Sequence, residues 1–152
     1  MNSLINLVTI REFQKADVNF ILDSFINCLS QYTESMFKGW NRKESCTHLE
    51  QIILFAITKL NYSIWIAVNK DDDQSILGYL IADPSNNHIF FNYTKNVFRK
   101  LGIQSNFLLP LAIDFSQPVT VNWQTKEALK LQKIGKISIR NVFLEQLMES
   151  QI

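Results

Sequence analysis

The sequence predicts one α/β domain of the α+β type, with a mixed, mostly antiparallel central sheet flanked by helices. Three observations predict it. The chain has 152 residues, close to the commonest size for a single core, so one domain over 1–152 is the expectation. Its composition, 47% hydrophobic and 19% charged, carries enough apolar surface to offset chain entropy and excludes intrinsic disorder. Strand and helix periodicities then follow one another as strand, two helices, three strands, loop and helix, strand, helix.

Residues 7–10 form a short apolar run that predicts the first strand. Asp17 predicts a helix start, because its side-chain oxygen can accept the free amide hydrogens of a first turn. From Val18 onward, Ile21, Leu22, Phe25, Ile26 and Leu29 recur at helical spacing and place one apolar stripe against a core. Residues 35–40 read as a loop. Thr47 and Glu50 form a capping-box pair ahead of Leu49, Ile52, Ile53, Ala56 and Leu60, with a start one turn earlier at Asn41 as the alternative.

Residues 64–68, 76–82 and 89–93 are β-branched or aromatic runs, separated by turn-forming stretches at 69–74 and 83–87, which predicts three strands joined as hairpins. The run Asp71-Asp72-Asp73 lacks the alternating ligands, central glycine and distal glutamate of a calcium loop, and reads as a solvated hairpin tip. The apolar stretch 107–115 predicts a helix, but Pro110 removes a backbone hydrogen bond, so that helix should be kinked or start late. Residues 119–123 predict another strand, 125–134 another helix closed by Gly135, and 137–139 a last short strand. The tail, 141–152, is amphipathic and reads as a terminal helical turn.

Composition also excludes function classes. A net charge of +1 provides no overall field toward nucleic acid or an anionic membrane. Lys126, Lys130, Lys133 and Lys136 line one side of the last helix, which is the pattern of a solvated face rather than of a nucleic-acid stripe with stacking aromatics. Cys28 and Cys46 read as packing residues with no metal or disulfide framework. No basic leader opens the sequence, and its apolar runs are too short to span a bilayer, so a cytoplasmic protein without a membrane partner is expected. Open sheet edges in a domain of this size invite a homodimer.

Chemistry concentrates at Arg99-Lys100-Leu101-Gly102-Ile103-Gln104, between a strand and a helix. Exposed amide hydrogens at a helix start, with the positive end of its dipole, form an anion site, and Gly102 lets a phosphate approach the backbone. Arg99 and Lys100 add positive charge. This segment resembles the pyrophosphate-binding motif of the GCN5-related N-acetyltransferase superfamily: Arg or Gln, two residues, Gly, one residue, Gly or Ala. Arg99 and Gly102 match it, Gln104 replaces the last small residue, and Tyr93 to Phe98 resembles the strand end that leads into it.

The resemblance implies a coenzyme site in which the Thr94 main chain pairs with the pantetheine arm and the amides of Lys100, Leu101, Gly102, Ile103, Gln104 and Ser105 hold the diphosphate. Asn122 is similar to the asparagine that steadies the arm, with Ala128 in the helix beyond. The tail around Phe143-Leu144-Glu145 is similar to that of small phage and prophage acetyltransferase-like proteins. The activity implied is transfer of an acetyl group from acetyl-CoA, or another acyl-CoA, to a primary amine on a small molecule or peptide. Two departures stand against it. Leu131 and Gln132 occupy the positions where many members place a proton-donating tyrosine. Gln104 carries a side chain where the family keeps the helix start bare, and it either crowds the phosphates or donates a hydrogen bond to them. Tyr93 and Tyr79 are the candidates for a catalytic group, with His88 and Asp83 beside them, although each also reads as a packing, strand-edge or turn residue. The alternative is a non-catalytic descendant, for example viral, that keeps the fold as a binding or regulatory module.

Overall fold

The computed structural model describes residues 7–32, 37–60, 62–123, 125, 128, 132 and 137–139. Strand β1 (Val8–Glu12) leads through a short 3-10 turn (Lys15–Asp17) into α1 (Val18–Leu29), which is followed by α2 (Arg42–Thr58). Then come β2 (Ser63–Asn69), β3 (Asp72–Asp83) and β4 (His88–Thr94). A 3-10 segment (Asn96–Leu101), a π-helical turn (Gln104–Leu108) and the short α3 (Leu109–Ala112) precede β5 (Val119–Val121) and β6 (Ile137–Ile139). The six strands lie side by side in chain order. Pairing is antiparallel from β1 to β4, then parallel from β4 to β5 and from β5 to β6, which makes the sheet mixed and mostly antiparallel as expected.

Both faces of this sheet are covered. Ile21, Phe25 and Leu29 of α1 and Leu49 and Ile53 of α2 pack on Ile66, Val68, Tyr79 and Ile81. The intervening residues Ala67, Leu80 and Ala82 turn to the opposite face, where Ile103, Leu108 and Ala112 meet them. Strand side chains alternate between faces, so a strand buried on both reads as an unbroken apolar run; this is why 76–82 shows no polar alternation.

Several local expectations are corrected. Asp17 makes no cap hydrogen bond to α1. Its carboxylate instead takes two hydrogen bonds from Arg11, at 2.7 and 2.8 Å, and one from the Gln14 amide at 2.8 Å. A bidentate guanidinium is a stronger partner than a helical amide, and Arg11 on β1 lies within reach. Burial opposes ionisation of Asp17, but these bonds and the Arg11 charge outweigh it and hold the carboxyl below its ordinary value. Helix α2 starts at the earlier of the two expected places: Asn41 Oδ1 accepts the Glu44 amide at 2.8 Å, while Asn41 Nδ2 donates to Glu44 Oε1 at 3.1 Å.

The aspartate run is only partly a hairpin tip, since β3 already begins at Asp72. Arg11 helps to hold it there by donating to the Asp73 carbonyl at 3.2 and 3.0 Å. Around Pro110 the helix is irregular rather than late: helical backbone runs from Ile103 through the π-helical turn into α3. Regular α-structure begins at Leu109, and Pro110, which has no N–H to give the turn before it, closely follows that π-helical stretch. Most of the expected helix at 125–134, Gly135 and the tail lie outside the described residues, although Ala128 and Gln132 are helical.

Candidate functional site

The sheet splits at one place. β4 and β5 are joined only where His88 faces Thr120 and Ile89 faces Val121. The Thr120 amide donates to the Asn87 carbonyl at 3.2 Å and the Asn122 amide to the Ile89 carbonyl at 2.9 Å. Beyond this point β5 ends at Val121 while β4 runs on to Thr94, so a gap opens between them. Asn122, itself buried, sits at the vertex.

A β-bulge decides what faces that gap. Across β3 and β4, Ile81 pairs with Phe91 but Ala82 pairs with Ile89, so Phe90 is an extra residue on β4. Lys95 donates to Leu77 across this ladder at 2.9 Å, and hydrogen-bonding sides alternate along an antiparallel pair. The main chains of Asn92 and Thr94 are therefore turned away from β3, toward the gap. Without the extra residue at Phe90 the alternation that points Ile89 at β5 would turn Asn92 and Thr94 the other way. The Thr94 carbonyl accepts from Arg99 Nε at 2.9 Å, as that orientation requires.

The glycine loop lies directly after this strand end. The 3-10 segment closes on Gly102, whose φ of 75° is left-handed and therefore suits glycine. The Gly102 carbonyl accepts the first intrahelical bond, from the Asn106 amide at 2.9 Å. The amides of Ile103, Gln104 and Ser105 thus belong to a first turn, where helical N–H groups lack intrahelical acceptors. Ile103 is buried and fixes this turn to the sheet, whereas Leu101 and Ser105 are exposed. A Cβ on Gly102 would lie 2.5 Å from Asn106 Nδ2.

Gln104 does neither of the things that its place in the motif suggests. Its Nε2 donates to the carbonyls of Tyr79 at 3.0 Å and Tyr93 at 2.9 Å, with Thr94 Oγ1 at 3.3 Å. The side chain is thus committed to the sheet rather than to the loop's open side. Arg99 likewise spends its Nε on Thr94, so part of the charge expected at an anion is anchored to β4.

A cavity of about 550 Å³ adjoins the gap on the α1 face. Asn27, Cys28, Gln31 and Tyr32 of α1 and its continuation form one wall, and Asn92, Tyr93 and Trp123 another. Trp123 is 3% exposed, and its indole N–H has no hydrogen-bond partner. These α1 residues and Trp123 were not singled out from sequence. The signal available was weak: Asn27, Gln31 and Tyr32 lie at the end of α1 and just beyond it, but Asn19, Asp23 and Ser24 are polar within the same helix.

The candidate catalytic groups separate here. Tyr93 lines the cavity, half-buried, with its ring against Phe20 and Tyr79. Tyr79 is fully buried and does not line it: its hydroxyl lies 2.7 Å from Ser24 Oγ and 3.3 Å from the Ile21 carbonyl. Burial pushes the Tyr79 hydroxyl far above its ordinary value, which suits a core strut and not a proton donor. His88 is buried at the strand junction, with Nδ1 2.6 Å from Thr120 Oγ1. Asp83 accepts from Asn86 Nδ2 at 2.7 Å within the turn after β3. Burial, with Asp83's charge second, pushes the Tyr62 hydroxyl up to about 12. Among the described residues that line the cavity there is no carboxylate and no histidine.

No protein-family model matches the sequence, and no curated protein matches it. Solved structures do. A GCN5-related N-acetyltransferase from Rhodopseudomonas palustris aligns over 85% of this chain and 81% of its own, at 16% identity and a TM-score of 0.55. This chain has the GCN5-related N-acetyltransferase fold. YjaB from Escherichia coli aligns with that fold here over 84% of this chain and 80% of its own, at 17% identity and a TM-score of 0.56. An acetyltransferase from Corynebacterium glutamicum, described as histone acetyltransferase HPA2 and related, covers 85% and 84% at 16% identity and a TM-score of 0.53. No helix among the described residues is long and apolar enough to cross a membrane, and no cluster of potential metal ligands occurs among them.

Proposed function

We propose that this chain is an acyl-coenzyme A dependent N-acyltransferase whose coenzyme lies in the gap between β4 and β5. The observation that carries this reading is the Phe90 bulge, which turns the Asn92 and Thr94 main chains toward an opening that ends beside the Gly102 turn. A diphosphate with an amide-bearing arm suits those groups. The amides from Lys100 to Ser105 would hold the diphosphate, the Thr94 and Asn92 main chains the arm, and Asn122 the vertex below it. When bound, the coenzyme supplies an acyl group activated as a thioester.

The chain's own residues contribute position. Ile103 fixes the phosphate turn to the sheet, Gly102 keeps its approach open, and α1 walls the chamber in which a small-molecule or peptide amine meets the thioester. Binding of acetyl-CoA by calorimetry tests this: micromolar affinity in the native protein, lost in Gly102→Glu, is the expected result. No heat from the native protein refutes it. A second reading, a coenzyme-binding module without turnover, is favoured by the cavity's lack of a carboxylate or histidine among described residues. Coenzyme binding without acetylation of any amine in a panel of amino acids, peptides and polyamines would select it.

A further inference from the structure

We infer that Gln104 is the positioning residue of the phosphate turn, doing with a side chain what close backbone packing does where a small residue stands. The inference rests on the proposed coenzyme site and concerns how this chain builds it. Two side chains flank Gly102 in sequence, and both end on the same piece of β4. Arg99 Nε reaches the Thr94 carbonyl from one end of the turn at 2.9 Å. Gln104 Nε2 reaches the Tyr93 carbonyl at 2.9 Å and the Tyr79 carbonyl at 3.0 Å from the other. The turn is therefore stapled at both ends to Tyr93-Thr94, the dipeptide next to the gap.

The chemistry admits few substitutes. The three atoms around Nε2 are two carbonyl oxygens and the Thr94 hydroxyl oxygen, so a two-hydrogen donor fits and a carboxylate would not. Gly78 completes the arrangement from β3. A Cβ there would lie 2.5 Å from the Tyr93 carbonyl oxygen and 3.3 Å from Thr94 Oγ1, two of the atoms that Gln104 bonds. The missing side chain at Gly78 and the long one at Gln104 are complementary parts of one contact. The opposite face of the amide, Oε1, is buried without a hydrogen-bond partner, so the side chain gives up one bond in order to place its N–H groups on the strands.

The test compares native protein with Gln104→Ala, which restores the small residue of the motif, and Gln104→Met, which keeps the volume but not the hydrogen bonds. Coenzyme A binding is measured by calorimetry, and hydrogen exchange is followed at the amides of residues 102–106. Both variants should bind coenzyme A about tenfold more weakly, and those amides should exchange faster while core amides of α1 stay protected. In acyl-transfer kinetics the loss should appear in KM for the acyl donor with kcat little changed. Gly78→Ala should weaken binding similarly, and combining it with Gln104→Ala should add little more. Coenzyme binding that is unchanged or tighter in Gln104→Ala, or native affinity in Gln104→Met, overturns the inference. Silence from the native protein instead removes the coenzyme reading beneath it, and this inference with it.

Discussion

Replacing Gly102 by alanine perturbs the turn on which the site depends, and its cost can be worked from geometry. At a φ of 75° a non-glycine residue loses about 1–2 kcal/mol to the clash between its Cβ and the backbone. The added methyl also lands 2.5 Å from Asn106 Nδ2, which is too close to stay. That atom ends an exposed side chain able to swing aside, so the overlap adds only about 1 kcal/mol, the low end for overpacking. Alanine returns about 0.5 kcal/mol by restricting the unfolded chain. The net loss is about 2 kcal/mol, measurable as a lower urea midpoint at constant slope. Adding Asn106→Ala removes the overlap but leaves the backbone strain, so it should recover about 1 kcal/mol and no more. A Gly102→Ala protein as stable as native, or full recovery in the double variant, would refute this account of the turn.

Arg11→Met should cost about 3 kcal/mol, because it leaves the buried Asp17 carboxylate without its guanidinium. The pH dependence gives the sign. In the native protein the Asp17 carboxyl is held below its unfolded value of about 3.9, so its contribution is present above that pH and lost as pH falls through the folded value. Without Arg11 burial dominates and raises the carboxyl, so the variant's deficit should shrink as pH drops from 7 to 4; a constant deficit in urea melts would contradict this. Tyr79→Phe should lose about 1 kcal/mol with the Ser24 hydrogen bond yet leave acyl transfer and coenzyme affinity unaltered. Loss of activity in a folded Tyr79→Phe protein would restore that tyrosine as a catalytic candidate.

The fold was legible because its signals are local. Ile21, Phe25 and Leu29 repeat with the period of a helix, and 64–68 and 76–82 are short apolar runs with β-branched and aromatic residues, bounded by turn formers, which marks them as strands. Position in that order also marked Arg99 to Ser105 as the loop between a strand end and a helix start. What escaped depends on long-range partners. Asp17 before a helix suits a cap and an ion pair equally well, and Arg11 decides between them only once β1 is in place. The Phe90 bulge hides in Ile89-Phe90-Phe91, because a strand covered on both faces is apolar throughout and only the pairing with β3 reveals the extra residue. Gln104 read as an intruder among phosphates because the carbonyls of Tyr79 and Tyr93 that claim it come from two strands. Trp123 read as a strand residue, whereas β5 stops at Val121 and leaves the indole against Phe25, Phe90 and the cavity.

The gap between β4 and β5 is tested most directly by a crystal structure of the native protein grown with coenzyme A. The expected density runs from the amides around Gly102, past the main chains of Thr94 and Asn92, into the chamber beside Trp123. Coenzyme bound elsewhere, or a turn at 99–105 with no phosphate on it at saturating coenzyme, would contradict the account.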